Sequence, residues 1–332
     1  MPNLCQLTVE TWRFSDLNGH RWEQIITDYL PKLKTFHLKM QIALNHDEGI
    51  QEKVNELIDS FQTSFWLIEH QWFIRCHWIP RNRCSMINIY TLPYSFPYFA
   101  TFAKVISNST CPRESDYWSY NHVHTVSHCN APIIGSSTLS QMHFPNVKHL
   151  SVTLRSNDQF WSTISTFDQL ISLDISLTNN DNNVRSQLQT ILDRASCLYS
   201  LKIKSWFDFE VPLVNHTSSS VRRLDLQGCF RYQTEQWFNS EECAKLCHSP
   251  LGIQCEVLLI RVEHRTIIID ILNLLTHLRA LNIKCRDDNY NKSDEQLLST
   301  EELLQWLIDR LPSTWKIGRV PHSLDCIQMW IN

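Results

Sequence analysis

Glycine is scarce in this chain of 332 residues, and the scarcity argues against several kinds of active site. The chain has only 6 glycines, and the two closest, Gly228 and Gly252, are 24 positions apart. Loops that bind phosphate use clustered glycines, because backbone N–H groups must come close to the anion. The Gly-x-Ser-x-Gly turn that presents the serine of many hydrolases is missing as well. The sequence therefore offers no common phosphate site or serine nucleophile.

Long apolar runs and blocks of positive charge are also missing. No segment approaches the roughly 20 uninterrupted apolar residues of a membrane helix. The first residues, MPNLCQLTVE, lack the positive flank and apolar run of a signal peptide. The formal net charge is −4, and no basic block suggests a nucleic-acid partner. We therefore expect an intracellular protein, cytoplasmic or nuclear, that binds neither nucleic acid nor membrane.

The 12 cysteines are scattered and do not form a recognisable metal-binding pattern. Cys243 and Cys247 lie one helical turn apart, but no second Cys/His pair follows them, so helix packing is the expected role. In NHVHTVSHC, the residues His122, His124 and His128 would share one face if the segment were a strand. An open metal site is then chemically possible, and the alternative is a polar strand face or a loop. The sequence assigns no catalytic residue, no metal ligand and no cofactor.

A recurring segment of the form apolar-x-x-Leu-x-apolar is the main positive signal. It is well seen in FDQLISLDISLTN, at residues 167–179. Its central leucines are separated by 23, 28, 23, 34 and 23 residues, and they are Leu150, Leu173, Leu201, Leu224, Leu258 and Leu281. Two further copies are centred on Leu7 and Phe36. This spacing is typical of a leucine-rich repeat, in which each unit supplies one short strand and a returning helix.

The repeats predict an α/β fold, a leucine-rich-repeat solenoid with parallel strands on its concave face and helices on its convex face. We expect one domain over residues 1–332, divided into first repeats (1–44), enlarged irregular repeats with an insertion (45–146), regular repeats (147–290) and a C-terminal cap (291–332). Within the irregular part, FWLIEHQWFIRCHWIP predicts one or two strands, and the composition of residues 93–140 predicts a segment rich in loops. Asn157 or Asp158 is expected to cap a short helix, and Ser299 and Glu302 to form a capping box.

The candidate site is the set of residues that alternate with the buried leucines and so point out of the predicted sheet. They mix acidic, basic and neutral side chains, which suits a protein partner better than a polyanion. Curved repeat proteins commonly bind partners on this side. The predicted binding residues are His37, Lys39, His149, Ser151, Thr153, Ser172, Asp174, Ser176, Ser200, Lys202, Lys204, Asp225, Gln227, Asn282 and Lys284.

Several longer segments carry a resemblance to a known family: DLNGHRWEQIITDYLPKLKTFHLKMQ, FWLIEHQWFIRCHWIP, INIYTLPY, STCPRESDYWSY, FPNVKHLSV, NDQFWSTI and RSQLQTILDRASCLYSLKI. Together they look like the leucine-rich-repeat region of F-box proteins that are numerous in bdelloid rotifers, and they span roughly residues 1–290. In that family an F-box docks a Skp-type adaptor of a cullin-RING ubiquitin ligase, and the repeats hold the substrate to be ubiquitinated. The chain departs from the family because no F-box-like helical segment precedes the first repeat, so the resemblance does not extend to adaptor docking.

These observations lead to three hypotheses from different classes. The first is a non-enzymatic protein-binding module that resembles the substrate-recognition part of an F-box protein. The second is a repeat scaffold or regulator outside the ubiquitin system. The third is a metal-dependent enzyme built around residues 122–129. An upstream F-box would separate the first two, and bound metal in the purified protein would favour the third.

Overall fold

The computed structural model describes residues 3–12, 17–45, 49–79, 84–102, 106–112, 120–129, 142–154, 158–177, 182–205, 213–228, 230–231, 234–287, 302–321 and 323–331. The chain forms two compact units. The N-terminal unit comprises Met1–Val147 and Ser156–Thr166, and the C-terminal unit comprises Lys148–Arg155 and Phe167–Asn332. Both units contain helices and strands, so the predicted α/β class is confirmed.

The N-terminal unit begins with a strand, a helix and a second strand, as the repeat pattern predicts. Its strands are Gln6–Trp12 (β1), Thr35–Asn45 (β2), Ile74–Ile79 (β3), Cys84–Thr91 (β4), Tyr98–Phe102 (β5), Ile106–Ser109 (β6) and Thr125–Cys129 (β7). Its helices are Gly19–Tyr29 (α1), Ile50–Asp59 (α2), a π-helical turn at Phe65–Glu69, and Asp158–Ser162 (α3).

Most of the N-terminal strands pair in a sheet with the order β1-β2-β4-β3-β6. The first pair is parallel, with Leu7 opposite Phe36 as the repeat register requires. The other pairs, β2 with β4, β4 with β3 and β3 with β6, are antiparallel. Strands β5 and β7 pair with each other in parallel and do not belong to this sheet. The regular strand–helix alternation thus gives way to antiparallel pairing after β2.

Helix α1 is positioned by a side-chain cap and by a close approach to α2. The Asn18 Oδ1 accepts a hydrogen bond from the Arg21 N–H at 2.9 Å, which satisfies one free donor of the first turn. Gly19 lies against the end of α2, where its N–H donates to the Ser60 Oγ at 2.7 Å. A Cβ at position 19 would collide with the Ser60 carbonyl, so the contact requires glycine.

The C-terminal unit contains the regular repeats. Its strands are His149–Leu154 (β8), Ser172–Leu177 (β9), Ser200–Ser205 (β10), Arg223–Asp225 (β11), Phe230–Arg231 (β12), Thr234–Glu235 (β13), Val257–Val262 (β14), Ala280–Cys285 (β15), Trp315–Val320 (β16) and Ser323–Ile331 (β17). Its helices are Asn182–Arg194 (α4), Ser240–Cys247 (α5), Pro250–Ile253 (α6), Thr266–Leu274 (α7) and Glu302–Ile308 (α8).

Six strands of this unit, β8, β9, β10, β11, β14 and β15, are parallel neighbours, and β17 and β16 then add antiparallel strands. The predicted central leucines all stand in register across the six strands. Each is at most 2% exposed, so these side chains form one continuous core ladder: Leu150, Leu173, Leu201, Leu224, Leu258 and Leu281. Burial alternates along β8, β9, β10 and β15, whereas on β11 and β14 the residues between the core positions are largely buried as well.

The irregular part follows its predictions in part. The run FWLIEHQWFIRCHWIP contains one strand, β3, as predicted, but it begins with the π-helical turn at residues 65–69, because a short apolar run does not by itself distinguish helix from strand. Residues 93–140 were predicted to be rich in loops, and their described part includes the three short strands β5, β6 and β7. The expected cap at Asn157 and most of the capping box at 299–302 lie outside the described residues.

Candidate protein-binding surface

The outward side chains of the C-terminal sheet form a row across the strands. The strand register places one outward residue of each parallel strand beside the next, from β8 to β15. We name these residues the central row: Ser151, Asp174, Lys202, Asp225, Leu259 and Asn282. Five of its members are predicted binding residues. Four of them, Ser151, Asp174, Lys202 and Asp225, lie on adjacent strands, and the fifth is Asn282 on β15. The parallel register thus brings together side chains that lie more than twenty positions apart in sequence.

Charged residues in and beside the central row neutralise one another across strands. The Lys202 Nζ lies 2.9 Å from the Asp225 Oδ2, and the Lys204 Nζ lies 3.1 Å from the Asp174 Oδ2. Lys204 also donates a hydrogen bond to the Ser151 Oγ at 2.9 Å. Each lysine therefore connects strand β10 to a neighbour. The surface presents alternating charge without a large excess of either sign.

Exposure divides the central row into two halves. The side chains of Lys202 and Lys204 are 34% and 40% exposed, and that of Asp174 is 28% exposed. The Asp225 side chain is only 11% exposed. We call Ser151, Asp174 and Lys202 on β8, β9 and β10, together with Lys204 beside them, the open half, because its charged groups are partly exposed to solvent.

The other half of the row is occupied by internal contacts. The Gln227 amide Nε2 donates to the backbone carbonyl oxygen of Asn282 at 3.0 Å and lies 3.5 Å from the Cys326 Sγ. The Gln227 backbone N–H donates to the Asp225 Oδ1 at 3.1 Å. These bonds orient Asp225 toward Lys202 and occupy the Gln227 side chain. Gln227 and Asn282 are therefore placed to support the surface more than to contact a partner.

The remaining predicted residues of this unit also occupy outward positions. His149, Ser172 and Ser200 are neighbours in one register row, and His149 is exposed. Thr153 pairs with Ser176 in the next row toward the ends of the strands. These side chains flank the open half on both sides, so the polar surface is wider than the central row alone.

Arg261 and Leu259 belong to the same sheet face, and sequence reasoning missed both. Strand β14 pairs Leu259 with Asn282 and Arg261 with Lys284. Arg261 is largely buried, and its Nη2 lies 3.4 Å from the Glu235 Oε1. The alternation that identified the other outward positions applies equally to VLLIRV. Two of the three outward residues of this strand, Val257 and Leu259, are apolar and therefore do not stand out as binding residues.

His37 and Lys39 lie in the N-terminal unit, on strand β2. The Lys39 Nζ lies 2.7 Å from the Glu10 Oε1, its partner across the parallel pair. The same ammonium group lies 5.5 Å from the ring centroid of Phe96 and 5.4 Å from that of Tyr98. Burial and the nearby positive charge of an imidazole on another segment lower the pKa of His37. Lys39 is thus held by one carboxylate and two rings.

The three histidines of NHVHTVSHC do not share a strand face. Strand β7 begins only after His124, and the side chain of His122 is exposed. The His124 Nδ1 hydrogen-bonds a backbone carbonyl at 3.1 Å. His128 is buried, with its Nδ1 3.0 Å from the Thr101 Oγ1 and its ring stacked on Phe160 at 4.0 Å. Among the residues with described placement, no three His, Cys, Asp or Glu side chains converge on a possible metal position.

The paired thiols of α5 are packed against α7. Cys243 and Cys247 are both 3% exposed and line a cavity of about 240 Å³ together with Asp270. Burial is the main cause that raises the pKa of both thiols, that of Cys247 to about 12. Both thiols are therefore neutral near pH 7, the form that is neither the nucleophile nor the metal ligand.

Asp287 also has a structural contact. Its Oδ2 accepts a hydrogen bond from the Arg265 N–H at 3.0 Å, at the start of α7, and its Oδ1 lies 3.2 Å from the His264 Nδ1. Asp287 thus acts at a helix N-terminus, where a negative charge is favourable.

The architecture of the C-terminal unit places this chain among mixed α/β proteins with a largely parallel, in-register sheet. No protein-family model matches the chain, and no curated protein shows significant similarity to it. Within the described part of the chain, no helix combines the length and apolar character that crossing a membrane requires.

Proposed function

We propose that the chain is a non-enzymatic protein-binding module of the leucine-rich-repeat type, and that it binds its partner on the open half of the central row. The predicted solenoid is part of this proposal. The six parallel strands and their in-register leucines support it, because stacked strand–helix units bury exactly this kind of ladder between neighbours.

The backbone ladder at the start of the strands gives further support to a repeating unit. The N–H groups of Tyr199 and Ser200 both donate to the Ile171 carbonyl, each at 3.0 Å. The N–H groups of Arg222 and Arg223 bond to the Tyr199 carbonyl in the same way, again at 3.0 Å. The same geometry thus recurs from one strand to the next, as repeats of common form require.

The observation that carries the binding proposal is the alternating charge of the open half. Asp174 and Lys204 are paired at 3.1 Å, yet both stay substantially exposed. Charges in such a pattern favour a partner of complementary pattern and disfavour partners of uniform charge. Because the pairs neutralise one another, the surface can specify orientation without attracting polyanions.

The test is to exchange the charges of this pair and to measure partner capture. The variant carrying Asp174→Lys and Lys204→Asp retains an ion pair across β9 and β10 but reverses the pattern that a partner meets. The tagged chain is used to capture proteins from cell extract, and mass spectrometry quantifies them. We expect the main captured protein to be lost from the variant.

A matched control exchanges an ion pair on a helix. On α5 the Lys245 Nζ lies 2.6 Å from the Glu241 Oε1, and both side chains are exposed. The variant with Glu241→Lys and Lys245→Glu should retain the captured partner. If the α5 exchange and the β9–β10 exchange leave the same proteins bound, the open half is not the binding surface.

The same capture experiment separates the ubiquitin-ligase hypothesis from a repeat scaffold outside that system. We propose, on the resemblance to F-box repeat regions, that the captured partner is a ubiquitination substrate. Recovery of a Skp-type adaptor and a cullin with the chain would support membership of a ligase. Reproducible recovery of a partner without either of them would favour the scaffold hypothesis.

A further inference from the structure

A second surface lies at the edge of the C-terminal sheet where the parallel strands begin. The residue just before each strand hydrogen-bonds through its backbone to the corresponding residue of the next strand. Their side chains are therefore spaced like the strands themselves, at about 4.8 Å. We name this set the edge row: Lys148, Ile171, Tyr199, Arg222, Glu256 and Arg279. It does not include any residue of the central row.

An open cavity of about 600 Å³ occupies one end of the edge row. Two arginines and one carboxylate line it, together with apolar groups from Leu278 and Ile331. The polar groups of Gln254, Thr276 and His277 complete the lining. A cavity of this size suits a few residues of a peptide, and its lining combines charged and apolar groups.

The charges in this cavity are unbalanced. The Glu256 carboxylate lies between two guanidinium groups, with its Oε1 3.8 Å from the Arg222 Nε and its Oε2 3.8 Å from the Arg279 Nε. Two positive groups and one negative group leave one positive charge in excess. Both separations exceed ordinary hydrogen-bond lengths, so neither guanidinium is closely engaged by this carboxylate.

The two arginines differ in what holds them. Arg222 is anchored, because its Nη1 donates to the Val221 carbonyl at 2.9 Å and its Nη2 to the Ser219 carbonyl at 3.1 Å. Arg279 is 76% exposed, and within the described part of the chain its two Nη atoms have no hydrogen-bond partner. Arg279 therefore presents a free planar fork, the geometry that binds a carboxylate through two parallel hydrogen bonds.

Apolar side chains lie on the same edge. Ile171, Tyr199 and Ile331 are 41%, 42% and 42% exposed. Tyrosine and arginine are enriched among the residues that contribute most of the binding energy at protein interfaces. The edge therefore offers both a cationic anchor and apolar area to a ligand that has the complementary features.

We propose that this cavity binds an acidic peptide segment that contains apolar side chains, supplied by a partner protein. A carboxylate of the segment pairs with the Nη atoms of Arg279, and an adjacent apolar side chain packs against Ile331, which lines the same cavity. The proposal extends the function proposed above, because it assumes that the chain binds proteins, but it places this contact on a different surface.

The test is fluorescence anisotropy with a labelled peptide, acetyl-Gly-Glu-Glu-Leu-Glu-Tyr-Glu-Gly-amide, and the full chain. A matched peptide with glutamine in place of each glutamate gives the contribution of charge. We expect the acidic peptide to bind more tightly, with an affinity that falls as salt concentration rises. Arg279→Glu should weaken binding about tenfold or more, as expected when a charge-assisted pair is replaced by repulsion. Arg279→Gln should weaken it less.

The control is Arg286→Glu at the opposite end of strand β15. Arg286 is 67% exposed, and its Nη1 lies 3.9 Å from the Glu263 Oε1, so its environment resembles that of Arg279. Equal weakening by the substitutions at 279 and 286 would mean that the peptide responds to overall charge, and the proposal would be wrong. It would also be overturned if the acidic peptide did not bind at low salt, or if a single-stranded oligonucleotide of equal charge bound more tightly.

This assay separates the edge from the open half. The exchange of Asp174 and Lys204 should leave binding of the acidic peptide unchanged, while it abolishes capture of the cellular partner. If the peptide binds and the cellular partner is unaffected by the exchange, the edge proposal stands and the open-half proposal fails. Circular dichroism of each variant verifies that the fold is retained.

Discussion

The cores of the two units are built from different side chains. In the N-terminal unit Phe36 packs among tryptophan rings, with centroid separations of 5.3 Å to Trp22, 6.0 Å to Trp66 and 5.5 Å to Trp72. In the C-terminal unit one leucine repeats on each of six parallel strands. Identical side chains permit one packing geometry to recur, whereas each ring requires its own orientation. Regular stacking therefore accompanies the aliphatic ladder.

The units also differ in how they treat polar groups. The N-terminal unit buries Arg75 and His77 completely or nearly so. The Arg75 Nη1 donates to the Tyr120 OH at 3.0 Å, and that hydroxyl lies 3.2 Å from the Tyr90 OH. The C-terminal unit also buries Arg261, but it keeps its lysine–aspartate pairs at a sheet surface. Stability of the first unit should therefore depend more strongly on buried polar contacts and on pH.

The largest expected effect is from removing a ring of the aromatic core. Trp66 is fully buried and contacts the rings of Phe61 at 4.8 Å and Phe65 at 5.4 Å. We expect Trp66→Ala to lower the free energy of unfolding by about 3–5 kcal/mol, because a large cavity remains. Trp66→Phe should cost less. Urea denaturation followed by far-UV circular dichroism measures both, and a loss below about 1 kcal/mol for the alanine variant would contradict this account.

Truncating the leucine ladder should have a similar or slightly smaller effect. Leu201→Ala removes a side chain with no exposed surface, and we expect a loss of about 2–5 kcal/mol. Leu173→Ala should give nearly the same loss, because the two leucines face each other in register in equivalent environments. The contrast between the two cores would be wrong if the losses in free energy of unfolding for Leu201→Ala and Leu173→Ala differed from each other as widely as the losses caused by two different ring truncations in the N-terminal unit. Chemical denaturation of the two variants side by side provides the measurement.

Acid should destabilise the N-terminal unit through His77. Burial, with the charges of Arg75 and Lys39, lowers the pKa of His77 to about 3, from an ordinary value near 6.5. Between these values the unfolded chain binds a proton that the folded chain does not, so stability falls as pH decreases from 6.5 toward 3.

The contribution of this histidine is about 1.4 kcal/mol per pH unit within that window. We expect His77→Phe to retain the contacts with the rings of Tyr90 and Phe99 while removing the titrating group. The drop in free energy of unfolding between pH 7 and pH 5 should then be smaller in the variant, as denaturant titrations at the two pH values would show. An equal drop in both proteins would mean that other groups cause the acid sensitivity.

The smallest expected effect concerns the surface ion pairs. Asp225→Asn weakens a pair whose carboxylate is mostly buried, and we expect a loss of about 1–2 kcal/mol. Asp174→Asn affects an exposed pair, and its cost should be below about 1 kcal/mol. Thermal unfolding at low and high salt would distinguish the two, since only the exposed pair should be strongly screened. If Asp174→Asn lowered stability more than Asp225→Asn, the division of the central row into the open half and a more buried half would be wrong.

Sequence reasoning was most successful where a short pattern repeats. The positions of Leu173 and Leu201 predicted both the strands and their buried faces, because alternation in a strand follows directly from backbone geometry. The apolar face of α4 follows an equally local spacing, and its four apolar residues are buried: Val184, Leu188, Ile191 and Leu192. Sequence reasoning was least informative at residues 65–69 and 93–140, where the π-helical turn and the short strands depend on partners that lie far apart in sequence.

The sequence by itself determined the α/β class and which side of each repeat strand is buried, since both depend on spacing within a few residues. Only the tertiary structure decided how the outward residues combine. Asp225 is mostly covered whereas Asp174 is exposed, although both stand at equivalent places in the repeat. Arg222, Glu256 and Arg279 meet in one cavity because strands β11, β14 and β15 are neighbours. Exposure and charge pairing depend on distant segments, and the local pattern carries no information about them.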